Sequence, residues 1–445
     1  MSAPPRAVES MIALVRAGAI DEFVARAHDL EPADLADVLA ALDEDERVAV
    51  VKALPPDLSG EALVEMPSEA HAEDTLAALD PEQAAEIVDE LADDDAADIL
   101  GELEPEEQER ILSEVEDRSD VDRLLRYDEE SAGGLMTTEL VVVNDVDTAA
   151  TALESIRRQA MEVEDFYQVY VVDGERRLVG MLPLKALVTS DLARPIREIM
   201  EDADIVVHPD DDQEHVARLM ARYNLPAIPV VDADRRLLGR ITFDDVIDVV
   251  EAETTEDLLK FGGVSPDENI AAGWLEAVRS RLPWLAVNLL TAFIAATVVA
   301  LNQGTIARTV VLAAWMPIIA GMGGNAGTQA LAVTVRRLAL GLIPLGKAMS
   351  VIGKEMLAGL CNGLVLGLLS GATAVLLGET PRFGLVVFLA MSCNLFVAGF
   401  AGAFIPILLE RLDVDPAVAS SIFVTTFTDV CGFSLLLGLA SVLLV

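Results

Sequence analysis

The C-terminal part of the chain carries five long apolar stretches, and this feature constrains the fold more than any other. The stretches cover residues 282–301, 310–332, 351–377, 384–409 and 416–439. Each has at least about the 20 residues that a helix needs to cross the hydrocarbon core of a bilayer. Because backbone polar groups must be satisfied inside a membrane, we expect an α-helical bundle of five spans over residues 282–445.

Charge divides the chain near residue 270. Residues 1–270 contain 22 basic and 68 acidic side chains, whereas residues 271–445 contain 9 and 7. Such acidity excludes nucleic acid as a partner, since phosphate binding needs a basic surface. It favours hard cations such as Mg²⁺, Ca²⁺ and Mn²⁺, although adaptation to high salt is an alternative cause. The N-terminus has no apolar signal segment, so we expect the acidic half to stay in the cytosol.

Apolar residues recur every twelve positions within residues 1–127. The two series are Leu30, Leu42, Leu54 and Met66, then Leu79, Leu91, Leu103 and Val115. Between them an acidic residue often precedes a proline, as in Asp80-Pro81, and both residue types favour the first turn of a helix. We predict an all-α solenoid of short helices. A solenoid indicates a protein-contact or sensor module.

The segment 171–180 returns at 230–239, an offset of 59 residues. Each copy predicts strands and helices in alternation around a tight turn. The duplication therefore predicts one α/β module over residues 128–198 and a second over residues 199–258. It resembles a tandem pair of CBS modules, and this resemblance implies a role in sensing adenine nucleotides or in gating a partner domain.

The second copy matches the Thr-x-x-Asp motif of such modules at Thr242 and Asp245. The resemblance implies that these residues, with Arg240 just before them, hold the phosphate and ribose of a nucleotide such as ATP. The first copy lacks both motif residues, so at most one nucleotide site is expected. A purely structural pair is the alternative.

Asp429 is the only charged residue after Asp415. At a rise of about 1.5 Å per residue, it lies near the middle of the last span. A carboxylate at that depth costs at least about 2.5 to 3.5 kcal/mol, and such residues usually face a bundle interior or a water-filled path. We therefore expect Asp429 to serve transport. A protonated Asp429 hydrogen-bonded to Thr425 is the structural alternative.

Glycine interrupts the second span, where Pro317 is followed by four glycines within residues 321–327. This composition weakens a helix at membrane depth, and a broken backbone is tolerated there where it lines a cavity. Asn325 and Gln329 lie one turn apart and are expected to face that cavity together. Hydrogen bonding between helices is the alternative role for these amides.

The third span adds two polar candidates, Glu355 near its cytosolic end and Asn362 about two turns further on. It also repeats a glycine every fourth residue, which predicts a flat face for close helix packing. These glycines are Gly359, Gly363, Gly367 and Gly371.

Basic residues flank the five spans asymmetrically. A cytosolic N-terminus places one group inside, comprising Arg279, Arg281, Arg336, Arg337, Lys347 and Arg411, and leaves Arg308 and Arg382 outside. The positive-inside rule favours this orientation, with the C-terminus outside the cell membrane. Five spans are few for a pore within one chain, so we expect a homodimer.

The order of these parts resembles the MgtE family of Mg²⁺ channels and transporters. An acidic helical domain, paired CBS modules, a linking helix over residues 259–281 and five spans match its architecture. Residues 323–329 and 425–433 match its membrane signatures. The resemblance implies that Asp429 lines a pore on the dimer axis and holds hydrated Mg²⁺. Further pore candidates are Asn325, Gln329, Thr425 and Glu355.

The resemblance also implies that the cytosolic domains bind Mg²⁺ at acidic interfaces and close the pore when the ion is abundant. We assign the candidate regulatory ligands to the solenoid and to the helix that follows the second module. They are Asp94, Asp95, Asp98, Asp245, Asp248, Glu251, Glu256 and Asp257. A solvated helix face is the alternative for the acidic run on that helix.

Two classes of function stay open on the sequence alone. The first is a homodimeric Mg²⁺ channel gated by Mg²⁺, or a transporter of another divalent ion such as Mn²⁺, Co²⁺ or Ca²⁺. The second is a nucleotide-sensing membrane receptor or scaffold whose spans only anchor it. An enzyme is not expected, because the sequence contains no evident nucleophile–base pair or catalytic metal set.

Overall fold

The fold is given by a computed structural model that describes residues 5–67, 70–116, 118–161, 163, 166–265, 273–340, 342–343, 347–412 and 414–444. The chain separates into two compact units, Met1–Ala252 and Glu253–Val445. The first unit contains the helical array and the duplicated α/β modules. The second contains the long apolar helices.

Short helices form the N-terminal part of the first unit, as the twelve-residue repeat predicts. They are α1 (Pro5–Arg16), α2 (Ile20–Ala27), α3 (Pro32–Ala40), α4 (Glu44–Val51), α5 (Pro56–Val64), α6 (Ala72–Ala77), α7 (Pro81–Val88), α8 (Asp93–Gly101), α9 (Pro105–Leu112) and α10 (Val121–Leu124). Proline stands at the start of α3, α5, α7 and α9, where its missing N–H has no helical partner to lose.

The helices of this array stack in succession, with α3 on α5, α5 on α7 and α7 on α9. Leu35, Leu63 and Leu100 are buried at the core of the stack. The repeat positions Leu42, Leu54 and Leu79 follow their helices and are also buried. Each short helix is thus held by neighbours rather than by its own length, and the predicted helical N-terminal domain is confirmed.

The duplicated modules complete the first unit. The first module contains β1 (Val142–Asn144), α11 (Ala149–Gln159), β2 (Val169–Val172), β3 (Leu178–Leu182) and α12 (Leu184–Thr189). The second contains α13 (Gln213–Tyr223), β4 (Ala227–Val231), β5 (Leu237–Thr242) and α14 (Phe243–Gly262). Strand β2 pairs in parallel with β1 and antiparallel with β3, while β4 and β5 pair antiparallel. The predicted α/β pair is therefore confirmed.

The two tight turns of the duplication have the same backbone conformation. Arg176 and Arg235, which are 59 residues apart, have positive φ angles of 62° and 61°. The turns also join the modules to each other, because Leu178 N donates to Arg235 O at 2.8 Å and Leu237 N donates to Arg176 O at 3.1 Å. The sequence repeat thus becomes a pseudo-symmetric pair.

Long helices dominate the second unit. They are α15 (Trp274–Leu301), α17 (Leu312–Ala339), α18 (Ala348–Leu376), α19 (Pro381–Glu410) and α20 (Pro416–Leu443), with the short α16 (Gln303–Arg308) between the first two. Four helices of the described chain are long and apolar enough to cross a membrane, namely α15, α18, α19 and α20. Helix α17 is less apolar, since Asn325, Thr328 and Gln329 lie near its middle. That it spans stays a prediction.

The predicted break in the second span is wrong, because α17 is one continuous helix from Leu312 to Ala339. Two of its four glycines, Gly323 and Gly327, instead make room for neighbouring helices. A Cβ at Gly327 would lie 2.6 Å from Cγ1 of Val424 on α20, and a Cβ at Gly323 would overlap Nδ2 of Asn394 on α19. The energetic cost of glycine in this helix is offset by close packing on α19 and α20.

The glycine repeat of the third span packs as predicted. A Cβ at Gly363 would lie 2.8 Å from Ser392 O on α19, and one at Gly371 would lie 2.6 Å from Gly384 O. Oγ of Ser392 donates to Gly363 O at 3.0 Å across the same contact. The flat face of α18 therefore lies directly on α19.

Residues 259–281, the predicted linking helix, belong in part to longer helices. Helix α14 ends at Gly262, and Gly263 follows it with a positive φ of 74°, a conformation in which glycine commonly terminates helices. Helix α15 begins at Trp274. Residues 266–272 lie outside the described residues.

Candidate functional site

Asp429 lies half-buried on α20, one turn after Thr425. Thr425 is also half-buried, and its carbonyl accepts a hydrogen bond from Thr428 Oγ1 at 2.9 Å. Within the part of the chain that the structure describes, the Asp429 carboxylate has no hydrogen-bond partner, so the alternative bond to Thr425 is not formed. Among the described residues, no basic side chain or hydrogen-bond donor pairs with the Asp429 carboxylate.

Helices α17 and α20 bring three of the pore candidates, Asn325, Gln329 and Asp429, to a similar level along the helix axes. Gly327 on α17 packs against Val424 on α20. Asn325 and Gln329 lie two residues to either side of Gly327, on the opposite face of α17, and both are exposed on the single chain. A Cβ at Gly327 would also lie 3.5 Å from Cγ2 of Thr428, the residue before Asp429, so Asp429 lies close to this level.

Glu355 is placed differently from Asp429. Arg337, near the end of α17, donates through Nη1 to Glu355 Oε1 at 3.3 Å, and the Glu355 side chain is 13% exposed. This carboxylate therefore has a basic partner within the same unit. Asn362 is exposed, two turns further along α18.

In the first unit, Asp93 attaches α8 to the duplicated modules. Its carboxylate accepts hydrogen bonds from Thr137 Oγ1 at 2.7 Å, from Thr138 N at 3.1 Å and from Thr138 Oγ1. Thr137 in turn exchanges two backbone hydrogen bonds with Arg240 on β5, each 2.9 Å long. Because β5 leads directly into α14, these contacts place the start of α8 beside the start of α14.

This attachment gathers acidic side chains from α8 and α14. Asp94 Oδ1 is buried and has no hydrogen-bond partner in the described chain. Burial raises the pKa of Asp94 well above its usual range, and the neighbouring charges of Asp95 and Asp245 raise it further. Burial also raises the pKa of Asp245, although hydrogen bonds from Thr242 oppose the shift. We call Asp94, Asp95, Asp98 and Asp245 the carboxylate cluster.

Asp98 completes the carboxylate cluster at its surface side. As a residue it is exposed, yet desolvation of its carboxyl and the charges of Asp95 and Glu129 raise its pKa to about 7. Desolvation and the charges of the neighbouring carboxylates shift this pKa in the same direction. Every charge that shifts Asp94 and Asp98 is another carboxylate. Such a set of oxygen ligands suits a hard divalent cation.

The remaining candidate ligands lie along α14. Asp248 and Glu251 are exposed, and partial burial followed by the charge of Glu251 raises the pKa of Asp248. Glu256 and Asp257 are partly buried. The structure thus brings Asp94, Asp95, Asp98 and Asp245 together. The other four candidates, Asp248, Glu251, Glu256 and Asp257, follow Asp245 along α14.

Glu256 has a partner that sequence reasoning missed. Lys260 forms an ion pair with Glu256 one turn earlier, and its Nζ also donates to Asp415 Oδ2 at 2.7 Å. Burial lowers the pKa of Lys260, but its hydrogen bonds to Asp415 and Glu256 outweigh burial and raise it overall. Only the i, i+4 spacing of Glu256 and Lys260 was readable from sequence, because Asp415 lies 155 residues away.

The candidate nucleotide residues are adjacent at the end of β5. Thr242 donates to Asp245 Oδ2 through Oγ1 at 2.6 Å and through its backbone N–H at 3.0 Å. Arg240 is buried on the same strand. Next to them, Tyr167 and Phe243 form an edge-to-face aromatic pair at 5.6 Å, and both rings are substantially exposed. Sequence reasoning missed this pair.

A further acidic group surrounds His71, between α5 and α6. The imidazole Nδ1 lies 2.8 Å from Glu73 Oε1, and this hydrogen bond raises the pKa of His71. His71, Glu73 and Asp74 bring one ligand atom each within 4.8 Å of one another. Burial and a hydrogen bond with Glu73 raise the pKa of Glu102 nearby to about 7. The ion pair with Glu73 accounts for this geometry without a metal.

Family models match most of the chain. A model described as the MgtE intracellular N domain matches residues 30–130. The CBS domain model matches residues 132–192 and 196–252, and a model described as the divalent cation transporter MgtE matches residues 316–439. These ranges follow the helical array, the two modules and the long helices in order.

Curated relatives and solved structures agree with the family models. The magnesium transporter MgtE of Bacillus subtilis is 31% identical over 97% of this chain and 96% of its own. That of Thermus thermophilus is 39% identical over 74% and 73%. A crystal structure of the cytosolic domain of the Mg²⁺ channel MgtE in complex with ATP is 35% identical, with a TM-score of 0.51, and covers 54% of this chain and 99% of its own. The chain therefore belongs to the MgtE family.

Proposed function

We propose that this protein is a homodimeric channel or transporter that admits Mg²⁺ through a path lined by Asp429, Asn325, Gln329 and Thr425. The observation that carries the proposal is the polar surface of the membrane unit. Asn325 and Gln329 are exposed on the single chain, at the level of a carboxylate without a partner in the described residues. Polar groups facing lipid are costly, so this face needs water or a second copy.

A second copy of the chain, related by a symmetry axis, supplies the polar partner surface that one chain lacks. A symmetric dimer pairs the same patch on both subunits, which brings two Asp429 carboxylates and four amides to one path. Mg²⁺ sheds its waters reluctantly and is usually bound through few carboxylates. A wide polar path with one carboxylate per subunit therefore suits a hydrated ion. Glu355, already paired with Arg337, contributes charge near the path rather than a free ligand.

We place the protein in the cell membrane as a multi-pass protein, with its N-terminal half in the cytosol and its C-terminus outside. The asymmetry of basic residues around the long helices supports this orientation. Flux in this orientation imports Mg²⁺ into the cytosol, since the electrical potential across a membrane that is negative inside favours cation entry.

We further propose that cytosolic Mg²⁺ closes the path by binding the carboxylate cluster. The buried Oδ1 of Asp94, which has no hydrogen-bond partner in the described chain, fits a cation, and the mutual repulsion of Asp94, Asp98 and Asp245 would be relieved by one. Asp248, Glu251, Glu256 and Asp257 extend the acidic surface along α14.

The second module is proposed to bind an adenine nucleotide such as ATP. The MgtE cytosolic domain solved with ATP supports this assignment by family. In this chain, the Thr242 hydroxyl and Asp245 carboxylate offer a donor and an acceptor for ribose and phosphate, with Arg240 on the same strand. Tyr167 and Phe243 offer an exposed aromatic surface next to them.

Ion flux into proteoliposomes that contain the purified protein tests the transport proposal. We expect Mg²⁺ uptake that exceeds the uptake of Ca²⁺, Mn²⁺ and Co²⁺ measured in parallel, and strongly reduced Mg²⁺ uptake in vesicles with Asp429→Asn. Protein that binds nucleotide but moves no divalent ion would instead make it a membrane receptor. Faster uptake of another divalent ion would keep the path and change its substrate.

A further inference from the structure

Asn394 lies in the middle of α19, between α17 and α20, and is completely buried. Its side-chain Nδ2 donates a hydrogen bond to Ile319 O of α17 at 3.0 Å. Its Oδ1 has no hydrogen-bond partner within the described residues. A single amide therefore lies at the junction of three helices with its acceptor oxygen unused among the described residues.

Glycines on both neighbouring helices make room for Asn394. A Cβ at Gly323 of α17 would overlap Nδ2 of Asn394, and a Cβ at Gly432 of α20 would lie 2.9 Å from the same atom. Real Cβ atoms do not approach other heavy atoms so closely, so a side chain at either position would displace the Asn394 amide or the helix itself. Asn394 thus defines how closely both helices approach.

Stability alone does not account for an asparagine here. Hydrogen bonds between helices in membranes contribute little on average, while a buried acceptor without a partner carries a desolvation penalty. An apolar side chain at this position would not carry that penalty. The position of Asn394 relative to the proposed path gives it a different role.

Asn394 lies behind the two residues that are central to the proposed path. Gly323 is two residues before Asn325 and Gly432 is three after Asp429, which is about 3 Å and about 4.5 Å along the helix axes. We propose that Asn394 is a positioning residue that sets the spacing between α17 and α20, and so between Asn325 and Asp429. This inference rests on the proposed transport function.

Asn394 does not touch the ion in this assignment. It acts through the helices that carry the ligands, because the amide holds Ile319 on one side and abuts Gly432 on the other. A change at this junction therefore alters the width of the path more than the assembly of the protein. The quantities that respond are the half-saturating Mg²⁺ concentration and the ratio of Mg²⁺ to Ca²⁺ flux.

The test compares variants of the full-length protein in proteoliposomes. Asn394→Leu removes both polar atoms and keeps the number of side-chain heavy atoms, and Gly323→Ala intrudes on Asn394. Gly324→Ala is the matched control, because nothing lies within 4 Å of a Cβ at that neighbouring glycine. The double variant Gly323→Ala with Asn394→Ala returns space to the junction. Dimer content and thermal unfolding are measured for every variant.

We expect Asn394→Leu and Gly323→Ala to assemble normally but to lower Mg²⁺ flux about tenfold or more, since displacements of about 1 Å in a preorganised site have effects of this size. Both should also shift the half-saturating concentration and lower the preference for Mg²⁺ over Ca²⁺. Gly324→Ala should resemble wild type. The double variant should recover part of the flux that Gly323→Ala loses.

Two results would overturn the role of Asn394. One is wild-type flux, half-saturation and ion preference in Asn394→Leu. The other is a loss in Gly323→Ala no greater than in Gly324→Ala, or no recovery in the double variant. Failure of the transport proposal looks different, because wild-type protein and Gly324→Ala would then carry no Mg²⁺ either.

Discussion

The carboxylate cluster of the first unit and the paired acidic residues of the second unit differ in the charges that lie beside them. In the first unit, Asp94, Asp98 and Asp245 are crowded together, and the charges that shift the pKa values of Asp94 and Asp98 are those of other carboxylates. In the second unit, Lys260 contacts both Glu256 and Asp415, and Arg337 contacts Glu355.

Asp429 differs from these paired residues of the second unit. It is half-buried and has no partner among the described residues, although its unit supplies basic partners to Glu256, Asp415 and Glu355. A carboxylate without a counter-charge in the protein must take a proton or a cation from solution. The difference suggests that unmatched carboxylates mark places where an ion from solution acts, and that matched ones are structural.

The matched and unmatched carboxylates should respond very differently to neutralisation. We expect Asp429→Asn to lower Mg²⁺ flux about a hundredfold or more, because one unit charge pair about 4 Å apart is worth about 4 kcal/mol at an intermediate dielectric. Asp415→Asn, which removes a carboxylate already matched by Lys260, should retain most of the flux. Both are measured as initial uptake into proteoliposomes.

Equal Mg²⁺ flux in wild type and in a correctly assembled Asp429→Asn would show that transport does not need the unpaired carboxylate. A loss in Asp415→Asn as large as in Asp429→Asn would also contradict it, since pairing would then be no guide to function.

The carboxylate cluster should lose its response to Mg²⁺ when its charges are removed. In the triple variant Asp94→Asn, Asp98→Asn and Asp245→Asn, we expect flux to persist at millimolar cytosolic Mg²⁺, because a ligand shifts a gate only by its differential affinity for the two states. Single-channel recording on inside-out patches measures open probability as cytosolic Mg²⁺ is stepped. The unitary current should stay at its wild-type value, since Asp429 is intact.

An equal ionic strength of NaCl is the control for this response, because it screens charges without bridging them. If the triple variant closes at the same Mg²⁺ concentration as wild type, the carboxylate cluster is a solvated surface. The exposed residues Asp248 and Glu251 would then be the next to neutralise.

Substitution of Lys260 removes the basic side chain that contacts both Glu256 and Asp415. Lys260→Gln removes hydrogen bonds between charged groups, each worth about 1.5 to 3 kcal/mol, and leaves Glu256 facing Asp415. We expect the end of α14 to exchange its amide hydrogens faster at low Mg²⁺ and to regain protection when Mg²⁺ is added. Hydrogen exchange of residues 253–262 in the full-length protein measures this effect.

Lys260→Arg should behave as wild type, and Lys354→Gln is the matched control, because Lys354 is an exposed lysine on α18. Unchanged exchange in Lys260→Gln would show that the lysine adds nothing to this junction.

Features that depend on position along the chain could be predicted from sequence. Asp429 can be identified because a charged residue within a long apolar segment is evident from the linear sequence alone. The twelve-residue repeat and the 59-residue duplication predicted the helical array and the paired modules for the same reason, and the turns at Arg176 and Arg235 preserve that duplication in the backbone.

Features that depend on tertiary contacts could not be predicted. The ion pair of Lys260 with Asp415 joins residues 155 positions apart, and the attachment of Asp93 to Thr138 joins residues 45 apart. The expected break in α17 was wrong because glycine weakens an isolated helix, whereas here Gly323 and Gly327 allow α19 and α20 to approach. Propensity was outweighed by packing that only the fold reveals.

The smallest expected effect is a dependence of Mg²⁺ binding on pH at the carboxylate cluster. The pKa of Asp98 is raised to about 7 in the folded protein, against about 3.9 for an unfolded chain. Without Mg²⁺, the stability that this group contributes is fully present below the unfolded pKa and is lost as pH rises through about 7. Mg²⁺ needs the deprotonated form, so protons compete with it.

We therefore expect Mg²⁺ to protect residues 93–101 from hydrogen exchange more at about pH 8 than at about pH 6, when protection with and without Mg²⁺ is compared at each pH. Asp98→Asn should flatten this difference. Equal protection at both pH values in wild type would mean that Mg²⁺ does not displace protons from the cluster, and the contrast between its crowded carboxylates and the paired ones of the second unit would lose its chemical basis.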